Sequence, residues 1–137
     1  LVKQPSGLTA ALDGEGLAWR TAEGASWHEG ADETARGGAA AVSGDVPPGG
    51  ISWLQTEVEG PGRLVFNWRM AEPGGARCLF MDNGLVLEVL ESGSEWTEQA
   101  HEVGSGRHDL LWVVPGEPVS GRGSVLLDRV LWFPEDR

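Results

Sequence analysis

Cysteine is nearly missing: Cys78 stands alone in 137 residues, so no internal disulfide and no thiolate zinc centre can form. Tyrosine is absent, whereas tryptophan occurs seven times, an uneven aromatic set that asks for a reason. Basic residues are scarce. Ten Lys and Arg against 21 Asp and Glu leave a formal charge of −11, and an acidic body repels phosphate backbones, which argues against a nucleic-acid partner. No apolar run approaches the roughly 18 residues of a spanning helix, which excludes insertion into a membrane by that route. The opening Leu1-Val2-Lys3-Gln4-Pro5-Ser6-Gly7 has no initiator methionine and no signal-peptide pattern, and reads as a fragment of a longer polypeptide. What is plentiful is glycine and proline, 21 and 8 residues, enough to exclude a long-helix protein and to imply many turns. The length fits one domain, spanning 1–137 with a core over about 16–133.

Strand signals dominate. In residues 63–70, Leu64, Phe66, Trp68 and Met70 alternate with Val65, Asn67 and Arg69, the pattern of a sheet with one buried side. Residues 51–58 alternate likewise, placing Leu54, Thr56 and Val58 on one face and Trp53 on the other. Gly60-Pro61-Gly62 between them predicts a turn, and so a hairpin. Asn83-Gly84 between two apolar runs predicts a type I′ hairpin turn, because both central positions need positive φ. Regular pairing from that turn sets Phe80 opposite Leu87 and Cys78 opposite Val89, with all four facing the core. The reverse face, Leu79, Met81, Val86 and Glu88, is then unusually apolar for a solvated surface, as if something covers it. Further strands are expected at 8–12, 17–21, 39–43, 95–103, 107–114 and 124–133, and a single helical turn at 31–36. In 107–114 the shared face holds His108, Leu110, Trp112 and Val114. About nine short strands at this spacing predict an all-β fold: an antiparallel β-sandwich, a jelly roll of two sheets.

The order of motifs resembles a bacterial extracellular jelly-roll module, MAM-like or carbohydrate-binding-module-like, found as an accessory domain in large secreted or surface proteins. The residues that carry the resemblance are Gly16-Leu17-Ala18-Trp19, Trp27, Ser52-Trp53-Leu54-Gln55-Thr56 and Gly60-Pro61-Gly62-Arg63-Leu64-Val65-Phe66-Asn67-Trp68. After them come Trp96, Gly106-Arg107-His108-Asp109-Leu110-Leu111-Trp112 and Leu127-Asp128-Arg129-Val130. The resemblance implies a secreted or cell-surface location and a non-catalytic role. Two positions depart from the pattern: His101 stands where an aromatic or aliphatic residue is preferred, and Leu126 where a tryptophan is usual.

Two readings compete for the tryptophans. Indole rings stack on sugar faces and their N–H binds hydroxyls, which makes Trp19, Trp27, Trp53 and Trp96 candidates for a carbohydrate platform. The same rings serve equally as core or rim packing, and the alternation places Trp68, Trp112 and Trp132 there. Asp128 lies inside an apolar closing strand and needs a partner. One alternative is a structural calcium ion (Ca2+) shared with Asp13 or Glu15, since calcium accepts irregular oxygen sets from loops. The other is a hydrogen bond to backbone or to an arginine, and no D-x-[DN]-x-[DN]-G loop supports the calcium.

Catalysis finds no assembled site. There is no G-x-S-x-G elbow, and Cys78 faces the expected core. His28, His101 and His108 lack metal-ligand spacing, and inward His108 reads as a packing residue. Glu88, Glu91, Glu95, Glu98 and Glu102 read as a solvated acidic surface rather than a glycosidase pair. The function expected is therefore protein contact, adhesion or spacing within a larger protein, with its other domains as partners. The alternative is a carbohydrate-binding module that grips polysaccharide with exposed tryptophans.

Overall fold

In the computed structural model the described residues are 2–3, 17, 19–22, 27–31, 39–43, 51–70, 77–90, 95–115 and 125–135. They form nine strands and, among the described residues, no helix: β1 (Val2–Lys3), β2 (Arg20–Ala22), β3 (His28–Ala31), β4 (Ala39–Val42), β5 (Ile51–Met70), β6 (Cys78–Asp82), β7 (Leu85–Leu90), β8 (Thr97–Pro115) and β9 (Val125–Pro134). Every pairing is antiparallel, in the order β3-β4-β9-β5-β8-β6-β7, with β1 and β2 joined on at β5.

Two strands make the sandwich out of this one sheet. The first half of β5 pairs with the second half of β8, from Ile51↔Pro115 to Gly60↔Gly106, between β2 on one side and β6 on the other. The second half of β5 pairs with the first half of β8, from Gly62↔Val103 to Trp68↔Thr97, and with β9. The two halves fold face to face. Phe66 of the second layer lies 4.8 Å from Phe80 and 5.3 Å from Trp112 of the first, between ring centroids. Strands that change sheet through a bulge are a known way to build such corners.

The expected hairpin at Gly60-Pro61-Gly62 is therefore corrected: the chain runs straight through as one strand of 20 residues. The strands expected at 95–103 and 107–114 are likewise one, β8, of 19 residues. Glycine is needed here for close approach rather than for reversal. A Cβ on Gly60 would overlap the Gly104 carbonyl oxygen, and one on Gly62 would lie 2.6 Å from Cζ2 of Trp132. Gly104 and Ser105 together face Pro61, a bulge that switches the inward parity of β8 from His101 and Val103 to Leu110, Trp112 and Val114.

The Asn83-Gly84 turn has the expected conformation, with φ of 49° and 87°. Asn83 does more than turn the chain. Its Oδ1 accepts the Asp109 N–H at 2.8 Å, which ties the hairpin tip to β8. The register beyond the turn differs from the expected one. Met81↔Val86 is regular, but a bulge at Leu87–Glu88 shifts the pairing to Phe80↔Glu88, Leu79↔Val89 and Cys78↔Leu90. Leu90 thus takes the buried place expected for Val89, which is left 46% exposed. β3 has no counterpart among the expected strands. The strand expected at 8–12 and nearly all of the helical turn expected at 31–36 fall outside the described residues, and Ala31 itself ends β3.

Candidate ligand-binding face

The seven tryptophans separate by burial. Trp19 and Trp27, expected as platform candidates, are core residues at 3% and 1% exposure, and a closed-in ring offers no face to a sugar. Trp19 packs 5.8 Å from Trp112. Trp68 and Trp112 are buried as expected, and Trp132 is half-buried against the core. Trp53 and Trp96 remain partly open, but on different outer faces. Trp96 covers Ala40, Val42 and Leu126 on the outside of the second layer, with the Arg69 guanidinium 5.6 Å from its ring centre. That cation occupies indole surface a sugar would need.

Trp53 lies on the outside of the first layer, and register shows what surrounds it. Adjacent strands bring Trp53, Val113, Leu79 and Val89 into one row, from β5 through β8 and β6 to β7. The next row is Arg20, Gln55, Leu111, Met81 and Val86. Beyond it the face turns polar, with Glu57 opposite Asp109 and Glu59 opposite Arg107. Gln55 Nε2 donates to Asp109 Oδ1 at 3.2 Å, and Arg107 Nε meets Glu57 Oε1 at 3.3 Å. Trp53 is anchored from behind. The buried Thr21 hydroxyl donates to its carbonyl at 2.8 Å and accepts the Trp27 N–H at 2.8 Å. One indole therefore sits at the border between an apolar field and a polar fence. Part of this was legible in the sequence, since Leu79, Met81 and Val86 already stood out as an unusually apolar second face. That Trp53, Leu111 and Val113 join them depends on register between distant strands, and Glu88 does not belong there: it pairs with inward Phe80.

Asp128 is buried at 3%, and its Oδ1 accepts the N–H of Arg129, itself in the left-handed region at φ 52°, at 2.9 Å. Its carboxylate thus closes a bulge of β9 opposite β5. Asp13 and Glu15, the other calcium candidates, lie outside the described residues. Among the described residues no group of three or more His, Cys, Asp or Glu is arranged to hold a metal ion. Burial pushes the Cys78 thiol far above its ordinary range, which keeps it a protonated core residue.

Sequence reasoning missed a polar group between the layers. His108 Nδ1 meets Asp82 Oδ1 at 2.6 Å, and that hydrogen bond raises the imidazole pKa. His101 stacks 5.0 Å from Phe80 and 6.0 Å from Phe66, and its Nε2 is buried with no hydrogen-bond partner. Burial lowers its pKa, with Glu88 and Asp82 pulling partly the other way. A cleft of about 650 Å³ opens at the corner, lined by Pro61, Gly62, Glu102, Val103, Gly104, Ser105 and Glu135. It has two carboxylates and no aromatic ring, so it is a poorer sugar site than the Trp53 face.

Two antiparallel layers folded about a shared corner, with one open sheet face, define a β-sandwich of the carbohydrate-binding-module type. The chain matches no protein-family model, and no curated protein matches it. Among solved structures it is similar to the secreted serine protease VesC from Vibrio cholerae, with 14% identity and a TM-score of 0.69 over 93% of this chain. The match covers 26% of VesC, so this chain spans about a quarter of that protein's length. It is also similar to TmCBM61, solved in complex with β-1,4-galactotriose, with 19% identity and a TM-score of 0.61 over 85% of this chain and 88% of that one. At such identities the likeness is one of fold.

Proposed function

We propose that this chain is a non-catalytic accessory module of a longer secreted or surface protein, and that it binds carbohydrate through the outer face of its first layer. Trp53 is the stacking platform. Gln55, Asp109 and Arg20 are the groups that meet sugar hydroxyls at its border. The observation that carries this reading is the half-buried Trp53 indole level with an apolar row and flanked by the Gln55–Asp109 hydrogen bond. The fold shared with TmCBM61 and with part of VesC supports it. A glycan array followed by calorimetry with plant, algal and bacterial polysaccharides tests it. Binding that Trp53→Ala abolishes and Trp96→Ala leaves alone is the expected outcome, and silence on every glycan overturns it. A second reading, protein contact or spacing between domains, is favoured by the exposure of Leu85, Val86 and Val89 at 66%, 44% and 46%. Such a role predicts that the face is protected from labelling in the parent protein and open in the isolated module.

A further inference from the structure

The make-up of the Trp53 face bears on the physical form of its ligand. Resting on the carbohydrate reading, we propose that the face takes an uncharged polysaccharide presented as a packed, level surface, rather than a single soluble chain.

A site for one soluble chain is concave, surrounds its ligand and spreads polar groups through the contact. This face does neither. Trp53, Val113, Leu79 and Val89 lie level across three strand spacings, about 14 Å at the usual interstrand distance. The adjacent row adds Leu111, Met81 and Val86. Aliphatic side chains in this arrangement gain only by burying area, and the area is gained in full only against another level, apolar surface. Stacked sugar chains present such a surface through their C–H faces, while a lone chain covers one row and leaves the other in water. The polar groups gather at one end, where they set an edge or an orientation. Charge sets the second part of the inference. Glu57, Glu59 and Asp109 stand along the rim against Arg20 and Arg107, and the chain carries −11 overall, so anionic polysaccharides are repelled at long range. The apolar rows themselves carry no charge that would recognise an ionic ligand.

The test is depletion of the chain from solution by washed insoluble polysaccharides, neutral (cellulose, chitin, mannan) and anionic (alginate, polygalacturonate). Calorimetry with soluble oligosaccharides of the same neutral sugars runs beside it. The expected result is retention on at least one neutral solid, undiminished by salt, with no heat from the soluble oligomers. Trp53→Ala weakens retention about tenfold or more, a loss of roughly one 1.4 kcal/mol step. Val89→Thr and Val113→Thr weaken it severalfold with unchanged melting. Val89 is exposed enough that its variant has no reason to misfold. Tight binding of soluble oligomers, or valine variants indistinguishable from wild type while Trp53→Ala abolishes binding, overturns the level surface and leaves the carbohydrate reading standing. Preference for the anionic solids overturns the charge argument. No retention on any solid and no heat from any oligomer overturns both readings and passes the face to a protein partner.

Discussion

Gly60→Ala is the sharpest perturbation of the corner on which the sandwich depends. The added Cβ would overlap the Gly104 carbonyl oxygen and lie 3.0 Å from its carbonyl carbon and 3.3 Å from Val103 Cγ1. The first obstacle is backbone, held by the pairings Gly60↔Gly106 and Gly62↔Val103 on either side, so it cannot swing away as a side chain would. Overpacking costs about 1–3 kcal/mol, and a backbone obstacle belongs at the upper end, about 3. Alanine's smaller unfolded-state entropy returns about 0.4–1 kcal/mol. The net loss is about 2 kcal/mol, which at this chain length lowers Tm by roughly 6–10 °C. Calorimetry or a urea midpoint reads it directly. Two glycines across the same bulge serve as controls. Gly104 has open space around its Cβ position and no positive φ, so Gly104→Ala should be neutral or gain about 0.4–1 kcal/mol. Gly106 also has open space, but its φ is +97°, so Gly106→Ala should lose about 1–2 kcal/mol from backbone conformation alone. Equal effects at Gly60 and Gly104 would refute the claim that close approach, not reversal, is what glycine supplies at Gly60.

The histidines predict opposite pH dependences. His108 has a raised pKa through Asp82, so its contribution is full below the unfolded value of about 6.5 and fades as pH rises through the folded value. Asp82→Asn should return the His108 titration, followed by NMR, toward 6.5 and remove that dependence. His101 is depressed by burial, so stability falls as pH drops below about 6.5 toward its folded pKa. His101→Phe should remove this acid-side loss and, by deleting a buried unpaired nitrogen, stabilise the fold by about 1 kcal/mol at neutral pH. Trp112→Ala should cost about 3–5 kcal/mol, as expected of a fully buried ring, while Trp53→Ala stays below about 1.5 kcal/mol. Acrylamide quenching should reach Trp53 and Trp96 and spare Trp68 and Trp112. A chelator should leave Tm in place, because Asp128 already accepts the Arg129 N–H; a clear drop would restore calcium to this site.

Much of the fold was legible in the chain itself because side-chain alternation records which face of a strand is buried. Leu54, Thr56 and Val58, then Leu64, Phe66, Trp68 and Met70, all point inward as the pattern requires. The Asn83-Gly84 turn was legible for a similar reason, since its two positive φ angles restrict the residue choice. The candidate site was half legible. The apolar back of the β6–β7 hairpin shows in the sequence, and alternation puts Trp53 on the face opposite Leu54. Alternation does not sort Trp19 and Trp27 from it, because burial against a strand far along the chain leaves no local trace.

Composition and alternation alone thus determined an all-β sandwich, its inward faces and its acidic character. These are properties of a residue and its near neighbours. Tertiary structure alone decided that Gly60-Pro61-Gly62 is a corner and not a turn, since glycine is the answer both to reversal and to a crowding carbonyl. It also decided that Trp53, Val113, Leu79 and Val89 share one row. Register between strands 10 to 60 residues apart is set by packing across the whole sheet, and no single strand carries it.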